Sequence, residues 1–163
     1  MRSTLALVAA LLAYPIAAET PPPVRLDAES YAELATELKG LKGKVVLVDV
    51  WGTFCAPCKE KFPKVVALHE KYARQGLVVI SVSVDPPDDA DALEAARTFL
   101  TSRQANFRNV ILTDHAKVWQ EKWKVIGPPL LFLFDREGRL VARWDDKVDM
   151  ADVEKRVGAT LAE

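Results

Sequence analysis

Val45-Val46-Leu47-Val48-Asp49-Val50-Trp51-Gly52-Thr53-Phe54-Cys55-Ala56-Pro57-Cys58 carries an apolar, β-branched run straight into the only two cysteines of the chain. Residues 45–51 read as a buried strand. Beyond the cysteines, Phe62, Val65, Val66, Leu68 and Tyr72 fall close to one face of a helix, which puts Cys58 in its first turn. Cys55 then faces unpaired backbone N–H groups and the positive end of the helix dipole, which favour a thiolate over a thiol. Strand, cysteine pair and helix in this order form the layout of a dithiol/disulfide redox centre.

Two other uses of the pair compete with that reading. A bridge across so short a loop restricts the unfolded chain little, so bracing is a poor reason for it. A bare C-x-x-C also suits a metal, but zinc needs two further ligands, and only His69 and His115 are available, with no second C-x-x-C. The expectation is therefore no metal and no cofactor. The residual metal alternative is a binding module that holds copper(I) on the two soft thiolates, weakened by the absence of a Met- or His-rich segment.

The chain has 163 residues, enough for one domain with a sizeable core. Its 22 basic and 23 acidic residues nearly cancel and form no basic cluster, which excludes nucleic acid as an expected partner. Met1-Arg2, the apolar stretch Leu5 to Ala13 and the small residues ending at Ala18 resemble a secretory signal peptide over residues 1–18. That stretch is shorter than the about 20 residues of a spanning helix. Ile16 is imperfect for a cleavage site, so membrane attachment follows only if the segment stays uncleaved. Residues 19–24, with Pro21-Pro22-Pro23, read as a linker to a domain over 25–163, and the expected location is periplasmic or otherwise extracytoplasmic.

Along that domain, Asp27 is expected to cap a helix bearing Tyr31, Leu34 and Leu38 and ended by Gly40. Gln75-Gly76 closes the cysteine helix before a second strand over 77–84. Asp85-Pro86-Pro87-Asp88-Asp89 reads as a break and a solvated helix start, lacking the glycine and terminal glutamate of a calcium loop. A helix to about Gln104 follows, then a short strand at Val110-Ile111-Leu112 and a helix whose Trp119 and Trp123 read as core. Leu130 to Asp135 is a further strand, Arg136-Glu137-Gly138 a hairpin turn into 139–144, and Met150, Val153, Val157 and Leu161 line a closing helix. The fold class is α/β, a mixed central sheet with helices on both faces.

Three blocks in order resemble the thioredoxin superfamily, and within it the exported TlpA/ResA/CcmG-like thiol-disulfide oxidoreductases. They are Val48 to Lys59 with its C-x-P-C motif, Pro63 inside the cysteine helix, and Gly127-Pro128-Pro129 before a buried strand and Asp135-Arg136-Glu137-Gly138. The resemblance covers roughly residues 25–160. The segment between Cys58 and Pro129 is longer than in minimal thioredoxin, and the surplus includes the helix over 91–104, a TlpA/ResA-type insertion.

The resemblance implies a thioredoxin fold and an enzyme exchanging its Cys55/Cys58 dithiol/disulfide with partner proteins, served by an electron donor or acceptor protein. A reductant for cytochrome c maturation or metal-centre assembly fits the branch better than a general oxidant. Cys55 is then the nucleophile, Cys58 the resolving thiol, Pro129 the cis-proline, and Asp49 the buried acid accepting the Cys58 proton. The substrate surface would comprise Pro129, Pro128, Pro57, Trp51 and Phe54, the last two as an apolar collar, with Trp51 equally readable as core. Three departures concern specificity. Pro128 has no N–H for a docked strand, Leu130 stands where threonine is common, and Lys61 where many ResA-like proteins carry glutamate. A third reading keeps the fold as an interaction domain without turnover.

Overall fold

The computed structural model describes residues 23–163, so the expected signal segment and most of the linker lie outside the described residues. The elements in chain order are β1 (Asp27–Glu29), α1 (Tyr31–Gly40), β2 (Val45–Trp51), α2 (Ala56–Tyr72), β3 (Leu77–Ser83), α3 (Ala90–Ser102), β4 (Arg108–Leu112), α4 (Ala116–Trp123), β5 (Leu130–Phe134), β6 (Leu140–Asp145) and α5 (Met150–Ala162). They build one six-stranded sheet in the order β1-β4-β3-β2-β5-β6. Its first four strands are parallel; β5 runs antiparallel to β2, and β6 antiparallel to β5.

Alternation along β2 sorts the two faces. Val46, Val48 and Val50 pack with Leu34 of α1 and Trp119 of α4 on one side. Val45 and Leu47 meet Val65 and Leu68 of α2 and Val153 and Val157 of α5 on the other. All seven residues of β2 are buried, as a central parallel strand requires. The mixed sheet with helices on both faces is therefore as expected.

The start of the first helix differs from the sequence reading. Asp27 caps nothing; it belongs to β1 and pairs with Val110 of β4. The α1 cap is Ser30, whose hydroxyl accepts the Glu33 N–H while the Glu33 carboxylate accepts the Ser30 N–H, a reciprocal box worth about 1 kcal/mol. Strand β1 is held by charge as well as by its ladder, because Arg108 of β4 pairs with Asp27, Glu29 and Glu37.

Helix α3 closes the core behind the cysteine helix. Ala96 and Leu100 are fully buried, and the Phe99 ring stands 4.9 Å from Trp51 and 5.1 Å from Phe62. Such aromatic contacts add about 0.5–1.5 kcal/mol each beyond their buried area. Trp119 and Trp123 pack 5.9 Å apart, and Trp123 meets Tyr31 at 5.6 Å, which makes them core packing as read from their spacing.

Candidate active site

Cys55 is the N-cap residue of α2, and its sulfur accepts the Cys58 N–H at 3.3 Å. One of the orphan donors of the helix start is therefore already aimed at sulfur. Cys55 and Cys58 are joined by a disulfide. Cys55 keeps 6% of its surface exposed and Cys58 none, so a partner can reach only the Cys55 side of the bond. Pro57 sits in the first turn, where its missing N–H costs no helix bond, whereas Pro63 interrupts the helix interior on its exposed side.

The loop delivering Cys55 is tied down by a group that the sequence reading assigned to a solvated break. Asp85 is 1% exposed. Its carboxylate accepts the Thr53 N–H at 2.9 and 3.1 Å, the Thr53 hydroxyl at 2.6 Å and the Ser83 hydroxyl at 2.7 Å. The pairing of Trp51 with Ser83 explains this, because two residues further along each chain Thr53 and Asp85 remain neighbours. Beyond Thr53 the Phe54 side chain is 64% exposed, with its ring folded over Gly52; a Cβ there would stand 2.5 Å from the ring, so glycine is what allows the close approach.

Trp51 is not part of an exposed collar. It is fully buried against Phe62 and Phe99, and of the two expected collar residues only Phe54 offers surface to a partner. The sequence left Trp51 open between collar and core, and its place at the end of the fully buried β2 decides for core.

The Pro128–Pro129 peptide is cis, as the resemblance implied. Leu130 pairs with Val50 across the antiparallel β5/β2 ladder, which sets Pro129 level with Trp51 at the end of β2 from which Cys55 emerges. Pro129 itself is buried, and together with Pro57, Lys61 and Met150 it borders a cleft of about 360 Å³ beside the cysteine helix. Both prolines lack an N–H, so a strand docked here finds no backbone donor at residue 128 or 129. Ile126, just before this pair, is 94% exposed.

Beneath α2 lies a buried ion pair. Alternation in β2 turns Asp49 to the α2 face, and Lys61, three residues after Cys58 and so on the same helix face, reaches down to it. Asp49 is 0% and Lys61 7% exposed; Lys61 Nζ donates to Asp49 Oδ1, while Oδ2 is buried and has no partner among the described residues. Burial pushes the Asp49 carboxyl above the usual carboxylate range, and the Lys61 charge and hydrogen bond pull it back. The sequence reading noted Lys61 only as a departure at a familiar position. Its i,i+3 relation to Cys58 was the available signal that it shares a face with the resolving cysteine. Among the described residues no cluster of three or more His, Cys, Asp or Glu is arranged to hold a metal ion.

Residues 22–143 match the AhpC/TSA family. Among curated proteins the chain is similar to the thiol-disulfide oxidoreductase ResA of Bacillus subtilis (strain 168), 33% identical over 105 residues, which is 64% of this chain and 55% of that protein. It is also similar to ResA of Bacillus cereus (strain ZK / E33L), 32% identical over 108 residues, 66% of this chain and 58% of the relative. The match thus spans little more than half the length of these relatives. Among solved structures it resembles the thioredoxin domain of a thiol-disulfide oxidoreductase from Bacteroides vulgatus, with a TM-score of 0.59, 28% identity, and 72% and 82% of the two chains covered. A thiol-disulfide isomerase from Corynebacterium glutamicum shares the fold with a TM-score of 0.66 at 22% identity, over 89% of this chain and 99% of that one. With a cysteine pair at the head of α2 and a cis-proline beside it, the chain belongs to the AhpC/TSA family and has the thioredoxin fold.

Proposed function

We propose that this protein is an exported thiol-disulfide oxidoreductase whose Cys55/Cys58 pair reduces disulfides in specific partner proteins. The observation that carries this reading is the pair itself: a disulfide at a helix N-terminus, with one sulfur reachable, the other enclosed, and a cis-proline alongside. The ResA relatives and the solved oxidoreductase domain support the reaction class.

In the reduced form the Cys55 thiolate attacks one sulfur of the partner disulfide, forming a mixed disulfide and releasing a partner thiolate. Cys58 gives its proton to the Asp49 carboxylate and attacks Cys55 Sγ. That closes the Cys55–Cys58 disulfide and releases the second partner sulfur as the leaving group, which takes up a proton. Two electrons have then passed from the pair to the partner, and an electron-donor protein must restore the dithiol. Asp49 suits the proton step because it is buried with one uncommitted oxygen, and because a carboxyl raised toward neutrality is a better base at ambient pH. Lys61 balances the charge left when the pair is ionised.

Phe54 and Ile126 are the apolar side chains open to a partner near the site, and with Pro128 and Pro129 offering no N–H they carry much of the docking. Cytochrome c maturation or metal-centre assembly is the proposed setting, and the periplasm or another extracytoplasmic space the proposed location, with residues 1–18 as the export signal and 19–24 as the linker. The test is trapping. Reduced Cys58→Ala protein mixed with a disulfide-bearing protein substrate should accumulate a covalent adduct that dithiothreitol releases and that Cys55→Ala protein does not form. No adduct would remove the exchange reaction and leave an interaction domain.

A further inference from the structure

An apolar recess lies away from the cysteines, on the opposite face of the sheet. Helix α4 has 8 residues and ends at Lys124, whose φ of 54° is left-handed, with Trp119 and Trp123 packed toward β5. A cleft of about 420 Å³ is left open between α1 and the β5–β6 hairpin, within the about 300–1,000 Å³ typical of small-molecule sites. Val46, Val48, Phe132 and Phe134 line its floor, with Leu38 and Trp123 at the walls. Nearby Leu140 is 51% exposed at the edge of the same recess.

Its rim carries more positive than negative side chains. Lys39, Lys42, Lys122 and Lys124 all border the cleft, and none of them forms an ion pair with a described residue. The two carboxylates at the rim, Asp135 and Glu137, are both engaged by Arg139. Arg143 stacks over Phe132 at 5.7 Å and is paired with Asp145. An apolar floor under four uncompensated lysines is complementary to a molecule with an apolar body and an anionic head.

We propose that this cleft binds a single-chain amphipathic anion, a fatty carboxylate, with its chain over Phe132 and Phe134 and its head group among the four lysines. The site is independent of the thiol chemistry. Val46 and Val48 point to the face opposite Asp49 and α2, so an occupant touches neither cysteine.

Laurate is the probe, titrated into the oxidised protein below its own aggregation concentration and followed by calorimetry and by tryptophan fluorescence, since Trp123 lines the cleft. Saturable one-to-one binding is expected, with dodecanol, the same chain without the charge, binding at least about tenfold more weakly. The Lys42→Glu/Lys124→Glu variant should also lose at least about tenfold in laurate affinity. Both lysines are exposed and outside the redox machinery, so the variant should keep its circular dichroism and its thiol exchange rate. Absence of saturable laurate binding, equal affinity for dodecanol, or undiminished affinity in the charge-reversed variant would each overturn the proposal. Self-association of the protein in sedimentation, unaffected by laurate, would assign the face to a second copy and overturn it as well.

Discussion

Replacing Lys61 by Met should convert a compensated buried carboxylate into an uncompensated one. Among the described residues Lys61 Nζ is the one cation paired with Asp49 and Asp49 Oδ2 has no partner, and the two side chains are 7% and 0% exposed. Removing one member of such a pair costs about 3–5 kcal/mol while the other remains charged. The cost has an outlet, because Asp49 can take up a proton. Its pKa is already raised by burial in the parent, and loss of the lysine charge and hydrogen bond raises it further.

A group whose folded pKa lies above its unfolded value of about 3.9 supports stability below that value and loses the support as pH climbs to the folded pKa. The loss accrues at about 1.4 kcal/mol per pH unit across that window. Lys61→Met should therefore lie nearest the parent at about pH 4 and fall progressively below it through neutral pH, to about 3–5 kcal/mol at alkaline pH. Urea unfolding of the oxidised proteins across this range measures it, and the Asp49→Asn/Lys61→Met double variant should recover most of the loss at high pH. A deficit independent of pH, or a double variant no more stable than Lys61→Met, would refute the reasoning that charge compensation is what Lys61 provides.

Asp85→Ala should cost about 1–3 kcal/mol, because the Thr53 N–H and the Ser83 hydroxyl lose their acceptor inside the protein. Hydrogen exchange at Thr53, Phe54 and Cys55 should accelerate in the same variant, and unchanged exchange would show that the loop is held elsewhere. Ser30→Ala should remove about 1 kcal/mol by opening the α1 capping box, read in urea unfolding, whereas Asp27→Ala should leave α1 capped. Asp49→Asn should slow resolution of a mixed disulfide formed through Cys55; equal rates in stopped-flow exchange across neutral pH would remove Asp49 from the proton step.

What the sequence made legible was local. The apolar run of β2, the cysteines at the head of α2 and the Gly-Pro-Pro step before β5 each declare themselves within a few residues, through strand periodicity, helix position and backbone restriction. What stayed hidden depends on pairings between distant segments. Strand β1 has only three residues, two of them acidic, so no apolar alternation marked it; its reason to be a strand is the ladder and the Arg108 charge on β4. Asp85 looked solvated beside two prolines and further aspartates, yet its register with Thr53 buries it. Trp51 was open between collar and core in sequence, and its packing against Phe62 of α2 and Phe99 of α3 puts it inside while Phe54 stays out. Lys61 could be placed on the face of Cys58 by spacing, but its partner across the helix–sheet interface required the sheet.

The reduction potential of the Cys55/Cys58 pair tests the central claim most directly. The protein is equilibrated in defined thiol/disulfide buffers and the oxidised fraction is quantified by alkylation. A reversible intramolecular disulfide with a potential near about −250 mV or below is expected for a reductant of partner disulfides. A potential near about −120 mV would make the protein an oxidant and reverse the proposed direction, and failure to form any reversible disulfide would contradict the thiol-exchange account altogether.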